Sequence, residues 1–377
     1  MDGFYLSSNV PVHSTLLFST RDEALTFPRE DVSLGFCRSC GFISNRAFSD
    51  EHIEYSARYE ETQGFSRVFQ DFHRDLATRL INKFNLRNKR ILEIGCGKGE
   101  FLHLLCGLAD NTGIGFDPVY VPERDQSITT RVEFRRELYT EMHTDLREDF
   151  VVCKMTLEHI PDPLRFMSMV RHALEHSPEA HVFFQVPDMK RVLLERAFWD
   201  VYYEHCSYFT AGSLRRLFIR AGFDVAEVWT EYSGQALMIA ARPRDPRSVD
   251  HDSDDIPAML DLAHGFAGDV NRLIGEWRAR LLERQRAGLR TVIWGAGSKA
   301  VAFLSKIGTD IDVRYAVDVN PFKDGTFLAG SGQEIVGPEF LRDYRPDVVV
   351  VMNPVYVGEI SESLRQIGVQ PEILALS

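Results

Sequence analysis

Two phenols, a carboxylate and an imidazole occupy four consecutive positions of this 377-residue chain, at Tyr202, Tyr203, Glu204 and His205. An imidazole that titrates near neutrality can remove a proton from a carbon next to a carbonyl group. A tyrosine hydroxyl or a protonated carboxyl group can stabilise the enolate that results. These residue types favour carbon-acid chemistry, although an aromatic segment that only packs beneath a sheet would have a similar composition.

A glycine-rich loop follows the apolar run at 90–94, which predicts a buried strand. The loop combines an acid with three alternate glycines: Glu93, Gly95, Gly97 and Gly99. Glycines at such a turn let a ligand approach the backbone closely. Asp117 ends the next predicted strand, where a carboxylate can accept both hydroxyl groups of a ribose. The spacing differs from the G-x-G-x-x-G dinucleotide pattern and indicates another nucleoside cofactor.

This pair of motifs resembles the class I S-adenosylmethionine (SAM) methyltransferases. The resemblance implies that the glycine loop lies against the methionine part of SAM and that Asp117 holds the ribose. The stretch 154–163 also resembles the Leu-Glu-His-Ile segment that borders the SAM pocket in small-molecule methyltransferases. Glu158 and His159 are therefore expected to shape that pocket, and each is also an alternative catalytic base.

These residues need a scaffold, and the patterning predicts an α/β one. Strands and helices alternate between residues 71 and 242, as in a doubly wound class I methyltransferase sheet. A second strand–glycine loop–helix–strand–acid unit begins at residue 291 and predicts a smaller Rossmann-like domain, in which Asp318 takes the place of the acid. Its Lys299, next to the glycine turn, is either a phosphate-binding residue or a surface lysine.

The remaining segments complete the predicted division of the chain. Residues 1–70 have no long periodic runs and predict an irregular N-terminal segment. Residues 242–256 contain two prolines and dense charge, which indicates a linker, and a long amphipathic helix follows. We therefore expect an N-terminal segment (1–70), a SAM domain (71–242), a linker and helix (243–290) and a C-terminal domain (291–377).

The composition excludes several classes of protein. The chain has 43 Lys and Arg against 55 Asp and Glu, a net charge of −12, which argues against a nucleic-acid partner. No run approaches the roughly 18 apolar residues of a membrane span. No secretory signal is apparent, and the six cysteines do not form a disulfide pattern. We expect a cytoplasmic enzyme with a small-molecule acceptor and no membrane partner.

Nearly the whole chain resembles the sugar C-methyltransferases that act on nucleotide-linked keto-deoxysugars. Their active-site segment typically reads Tyr-His-Glu-His followed by Ser-Tyr-Phe; Tyr202, Glu204 and His205 match it, and 207–209 follow in place. The resemblance implies that His205 is the base and that Tyr202 and Glu204 assist it. It also implies an N-terminal zinc-binding segment, a central SAM domain and a C-terminal Rossmann-like domain.

Three departures from this family fall where the acceptor is expected. Tyr203 stands in place of a histidine, Glu61 in place of an active-site tyrosine, and 233–235 in place of a Gly-Gly-Ser stretch. The sequence therefore predicts the scaffold of the family and leaves the acceptor open.

The expected zinc site is also incomplete. Cys37 and Cys40 form one half of a zinc knuckle, and where relatives have a second cysteine pair this chain offers only His13. Structural zinc takes four ligands. A zinc ion held by Cys37, Cys40 and His13, and a degenerate knuckle held by packing alone, are both open.

Together these patterns predict a SAM-dependent methyltransferase that methylates carbon next to a carbonyl group, in a nucleotide-linked sugar or a related small metabolite. One alternative is O- or N-methylation, or another SAM-dependent alkylation, of a small biosynthetic metabolite. A second is that the C-terminal unit binds NAD or serves as a dimerisation module. The acceptor is expected between the SAM domain, the N-terminal segment and the C-terminal unit.

Overall fold

The computed structural model describes residues 1–56, 58–124, 131–145, 147–244 and 255–377. Most of the predicted linker at 242–256 lies outside these residues. The strands, in chain order, are β1 (Asp2–Pro11), β2 (Arg29–Phe36), β3 (Ile43–Asn45), β4 (Arg90–Ile94), β5 (Thr112–Phe116), β6 (Val132–Arg135), β7 (Phe150–Lys154), β8 (His181–Pro187), β9 (Ser207–Tyr208), β10 (Phe223–Glu231), β11 (Ala236–Pro243), β12 (Thr291–Trp294), β13 (Val313–Val317), β14 (Glu334–Val336), β15 (Val348–Val351) and β16 (Glu372–Ala375). The helices are α1 (Arg21–Thr26), α2 (Arg67–Lys83), α3 (Glu100–Gly107), α4 (Pro163–Ala173), α5 (Met189–Glu195), α6 (Ala211–Arg220), α7 (Ile256–Arg286), α8 (Ser298–Ile307), α9 (Leu341–Tyr344) and α10 (Val357–Gln366).

The central sheet confirms the predicted doubly wound α/β fold. Its strand order is β10-β11-β8-β7-β4-β5-β6, and its strands are parallel except in the β10–β11 hairpin and its pairing with β8. Apolar residues face both sides because helices cover both faces. In β7, Phe150 and Val152 pack on one side, whereas Val151 and Cys153 pack on the other. The ligand-binding edge of such a sheet is where its parallel strands end.

The N-terminal segment is not irregular, contrary to the prediction. Its strands form an antiparallel sheet in the order β1-β2-β3-β9. Register shifts interrupt β1 between Gly3 and Tyr5 and between Ser7 and Val10, which removes the regular alternation that would reveal a strand. The last strand, β9, comes from the segment between α5 and α6 and begins two residues after His205. The N-terminal sheet therefore holds the segment with the candidate catalytic residues.

The C-terminal unit is a five-stranded parallel sheet in the order β14-β13-β12-β15-β16, as its strand–loop–helix pattern predicts. The long helix α7 packs between this unit and the N-terminal sheet. Its Trp277 meets Phe303 of α8 with ring centres 5.4 Å apart, and its Phe266 meets Tyr5 of β1 at 5.0 Å. The apolar stripe of α7 is thus a packing surface. Within the described residues, every helix is too short or too polar to cross a lipid bilayer.

Candidate active site

The glycine loop after β4 has a backbone that other residues could not follow without strain. Gly95 and Gly97 have φ angles of +72° and +55°, in the left-handed region. A Cβ on Gly95 would collide with the Thr156 side chain, and one on Gly97 would lie 2.7 Å from an oxygen of Glu61. The loop after β7 and the segment around Glu61 therefore press against the glycine loop from two sides.

Asp117 lies against this loop, as the sequence predicts. One carboxylate oxygen accepts a hydrogen bond from Gly97 N at 2.7 Å, and the other accepts from Val119 N at 2.9 Å. Burial raises the pKa of Asp117, and these two backbone donors oppose the shift. Each oxygen keeps a lone pair for a further donor, so the carboxylate can still accept two hydroxyl groups.

Two more carboxyl groups make the surroundings of the loop acidic. Glu93, at the end of β4, and Glu61 each have one buried oxygen without a hydrogen-bond partner. Burial raises the pKa of both groups to about 7. Glu61 also lies 3.5 Å from the ammonium group of Lys98. Three acids with unused acceptor capacity suit a ligand that carries positive charge.

Lys154 is a site residue that the sequence does not predict. It is the last residue of β7 and lies beside Glu93. Its ammonium group lies 3.8 Å from the ring centre of Phe101 and 3.0 Å from His73 Nε2. Burial lowers the pKa of Lys154 to about 8, while Glu93 acts in the opposite direction. The residues next to Lys154 in the sequence do not show that it belongs to the site. Only the pairing of β4 with β7 brings it close to Glu93.

Glu204 is held by donors from the N-terminal segment. One oxygen accepts from Ser14 N at 3.1 Å and from the Ser14 hydroxyl, and the other from His13 Nδ1 at 3.2 Å and from the Tyr59 hydroxyl at 3.0 Å. Burial alone would raise the pKa of Glu204, but these donors, His13 first among them, lower it to about 2. With all its acceptor positions in use, Glu204 has the geometry of a positioning residue.

In this arrangement both ring nitrogens of His13 have hydrogen-bond partners, which weighs against His13 as a third zinc ligand, one of the two possibilities that the sequence leaves open. Its Nε2 accepts a hydrogen bond from Glu54 N at 2.7 Å, so Nδ1 carries the hydrogen that reaches Glu204. Both ring nitrogens are therefore engaged. Cys37 and Cys40 lie in the turn after β2, which Gly41 N closes by donating to Cys37 O at 2.8 Å. Two thiols are two ligands short of a tetrahedral site.

His205, His159 and Glu158 meet where the loop after β7 faces the segment before β9. The two imidazole rings are nearly perpendicular, with centres 4.8 Å apart. Within the part of the chain that the structure describes, both Nδ1 atoms and both Glu158 carboxyl oxygens are buried without a hydrogen-bond partner. Burial, with a contribution from His159, lowers the pKa of His205 to about 3, and burial raises that of Glu158 to about 8. At neutral pH the site combines an unprotonated imidazole with a protonated carboxyl group.

Three tyrosines around this site have different roles. The Tyr202 ring centre lies 4.7 Å from that of His205, and its hydroxyl donates to Asp200 at 2.8 Å. Tyr203 turns away, and its hydroxyl accepts from the backbone of Ser49, so the departure from the family at this position is a packing change. Tyr55 was not predicted, yet its ring lies 6.4 Å from His159. No local pattern marks Tyr55, because its neighbours come from other segments.

Asp200 joins the segment before β9 to the C-terminal unit. It forms ion pairs with Arg191 and with Lys299, so Lys299 is neither a free surface lysine nor open to an anion. Nearby, Gln235 and Asn353 exchange side-chain hydrogen bonds of 2.9 and 3.2 Å across the same boundary. The stretch 233–235 that departs from the family is therefore an interdomain contact.

We expect Asp200→Asn to lower the free energy of unfolding at pH 7 by about 1.5–3 kcal/mol, because two buried cations lose an ionised partner. Burial alone would raise the pKa of Asp200, but Lys299 and Arg191 lower it to about 2. The stabilisation is therefore complete above the unfolded value, 3.8, and is lost as pH falls towards 2. Urea unfolding at several pH values measures this. Asp310→Asn, which removes an exposed ion pair with Arg278, is the control and should change little. An equal loss in the two variants would contradict the interdomain role of Asp200.

The acid of the C-terminal unit has a partner from its own domain. Asp318 accepts from Ala296 N at 2.9 Å and pairs with the ammonium group of Lys323 at 3.1 Å. Lys323 is buried and also donates to Ala296 O at 3.0 Å. A lysine thus neutralises the carboxylate that would bind a ribose in a dinucleotide site, which weighs against the NAD alternative.

Comparison with known proteins gives two family matches. Residues 65–228 match the family described as a methyltransferase domain, and residues 256–371 match the C-methyltransferase C-terminal domain. C-methyltransferase NovU of Streptomyces niveus is 27% identical over 363 residues, which cover 88% of this chain and 82% of that protein. A ubiquinone biosynthesis O-methyltransferase of Hydrogenovibrio crunogenus is 33% identical over 116 residues, covering 29% of this chain and 47% of that one.

Among solved structures, a Burkholderia thailandensis 1,6-didemethyltoxoflavin N1-methyltransferase, solved with S-adenosylhomocysteine, is 17% identical with a TM-score of 0.37. The match covers 48% of this chain and 82% of that one.

Proposed function

Since the chain is a SAM-dependent methyltransferase with a C-methyltransferase C-terminal domain, we propose that it methylates carbon next to a carbonyl group in a small acceptor. The resemblance to sugar C-methyltransferases suggests a nucleotide-linked keto sugar as that acceptor. The observation that carries the proposal is the position of His205: its buried Nδ1 has no hydrogen-bond partner among the described residues, and its ring centre lies 4.8 Å from that of His159. O- or N-methylation breaks no C–H bond in the acceptor and therefore needs no base that removes a proton from carbon.

SAM fits the residues of the glycine loop. Its ribose would be held by Asp117, and its ammonium and sulfonium charges would face Glu61 and Glu93, each of which has one buried oxygen without a hydrogen-bond partner among the described residues. Bound there, SAM supplies an electrophilic methyl group. The loop after β7 links this cofactor region to the base, because Thr156 touches Gly95 and the same loop continues into Glu158 and His159.

In the proposed reaction His205 removes a proton from the carbon next to the carbonyl group. The C–H bond breaks, the proton moves to the imidazole, and the electron pair becomes the enolate. A carboxyl group that keeps its proton can donate to the developing enolate oxygen, and Glu158 is such a donor. His159 and Tyr55 line the same space. Glu204 and Asp200 contribute indirectly, because they hold in place the segment that carries His205 and Tyr202.

The proposal is tested by incubating the full chain with methyl-labelled SAM and a panel of nucleotide keto sugars and following the products by mass spectrometry. The expected product carries the label on carbon and has lost one deuterium when the acceptor is deuterated next to its carbonyl group. A label on oxygen or nitrogen, with all deuterium retained, would favour the O- or N-methylation alternative.

The cofactor assignment predicts that Asp117→Ala binds S-adenosylhomocysteine at least about tenfold more weakly. The reason is that each hydrogen bond to a charged acceptor contributes about 1.5–3 kcal/mol. Isothermal titration calorimetry measures the affinity. Asp318→Ala is the matched control, because it removes the corresponding acid of the C-terminal unit and should leave the affinity unchanged. Equal affinities in the Asp117 variant and the unchanged protein would remove Asp117 from the cofactor site.

A further inference from the structure

The side chains of Glu158, His159 and His205 could together bind a metal ion, and the proposed reaction makes no use of this capacity. Each offers one potential metal-ligating atom, and these three atoms all lie within 4.8 Å of one another. Glu158 and His205 are 1% and 6% exposed. Among the described residues, both Glu158 oxygens and both histidine Nδ1 atoms lack hydrogen-bond partners. Buried polar atoms without partners are costly, and several of them on neighbouring side chains that could share one ion indicate a missing ligand.

The chemistry of the three side chains restricts which kind of ligand can bind there. Two imidazole nitrogens and one carboxylate oxygen suit first-row divalent metals, and three protein ligands with a free fourth position are typical of an accessible zinc site. Ligands about 2.0–2.2 Å from a tetrahedral ion lie about 3.4 Å from one another. The widest separation would therefore have to close by roughly 1.4 Å when the ion binds.

The surrounding structure favours such a site over a loose cluster. Glu158 and His159 lie in a single helical turn that begins at Leu157, shortly after β7, and His205 lies two residues before β9. Both strands are held by sheet hydrogen bonds. The residue before His205, Glu204, is fixed by His13, Ser14 and Tyr59. The ligands are thus held on supports that bring them together before an ion arrives.

We propose that Glu158, His159 and His205 bind one divalent metal ion, with zinc preferred, when the acceptor is absent. The fourth coordination position is open to solvent or to a competing ligand. This site is separate from the predicted zinc knuckle at Cys37 and Cys40. One consequence rests on the proposed function: a bound ion takes the lone pair with which His205 removes a proton, so zinc inhibits methyl transfer in competition with the acceptor.

The test uses the full chain, with Cys37→Ser and Cys40→Ser to remove the thiols, after dialysis against a chelator. Calorimetry with Zn²⁺ and visible absorption with Co²⁺ should give one site per chain with micromolar or tighter affinity. Glu158→Gln and His159→Gln should each weaken it at least about tenfold. His172→Gln, which changes an exposed histidine beside Glu175, is the control and should bind like the parent protein.

Unchanged zinc affinity in both ligand variants, or no binding at millimolar zinc, would overturn the proposal. If the parent with Cys37→Ser and Cys40→Ser does not fold, the same variants are compared in the natural sequence, where losing one equivalent of zinc in Glu158→Gln is the expected result. Zinc that binds at these residues without inhibiting turnover would leave the site intact and would instead contradict His205 as the base. The two proposals therefore fail in distinguishable ways.

Discussion

Replacing His205 with asparagine should leave S-adenosylhomocysteine binding unchanged and lower the rate of methyl transfer by about 10²–10⁴-fold. Asparagine keeps a polar side chain of similar reach but cannot accept a proton at neutral pH. His205 is buried, and burial keeps it unprotonated, so the unchanged enzyme holds its base ready throughout the neutral range. Calorimetry gives the affinity, and single-turnover mass spectrometry gives the rate.

Measuring exchange of the acceptor α-proton with solvent shows whether His205 acts as the base or has another role in methyl transfer. With S-adenosylhomocysteine in place of SAM, the unchanged enzyme should exchange the α-proton of its acceptor with deuterium from solvent, whereas the His205→Asn variant should not. His176→Asn, which changes an exposed histidine, is the control and should retain both activities. Near-normal turnover in the His205 variant would move the role of base to His159 or Glu158.

Glu204→Gln should lower the free energy of unfolding by about 3–5 kcal/mol, because His13, Ser14 and Tyr59 lose a buried ionised acceptor. The rate of methyl transfer should also fall by about 10²-fold, since the segment that carries His205 is no longer held in place. S-adenosylhomocysteine affinity should be retained, because the side-chain hydrogen-bond partners of Glu204 lie in the N-terminal segment. Urea unfolding and calorimetry measure these quantities.

Two further variants show whether Glu204 acts by positioning. Tyr59→Phe removes only one of its donors and should cost about 1 kcal/mol. In a double-mutant cycle, His13→Ala should cost much less in the Glu204→Gln background than alone, because the two groups share one interaction. A Glu204→Gln protein that is fully stable yet has lost α-proton exchange would instead place Glu204 on the acceptor.

Much of the central scaffold could be predicted from the sequence because its signals are local. The apolar run before Gly95 and the helical pattern after Gly99 lie within about twenty residues, and local periodicity determines strand and helix type. Asp117 could be predicted for the same reason, since the end of a second parallel strand has a fixed relation to the first glycine loop. The N-terminal sheet was missed because its bulges interrupt the alternation of β1.

The residue types of the catalytic segment were visible in the sequence, but their roles were not. Glu204 belongs to the motif, yet its partners lie about 190 positions away, at His13 and Ser14. The position of Lys299 next to a glycine turn is typical of an anion-binding residue. In the folded chain its ammonium group is instead paired with Asp200, 99 positions away. The composition of a segment gives the donors and acceptors that it offers, but not which of them the rest of the chain already occupies.

The α/β fold, the glycine loop with Asp117 and the group of residues among which the base is sought all follow from local patterns in the chain. The folded arrangement shows in addition that Glu204 is an anchored carboxylate, that both His13 nitrogens are engaged, and that Glu158 and His159 meet His205. Secondary structure follows short-range periodicity, whereas hydrogen bonding and burial at a site depend on segments brought together by folding. Those contacts set which lone pairs and protons remain free to react.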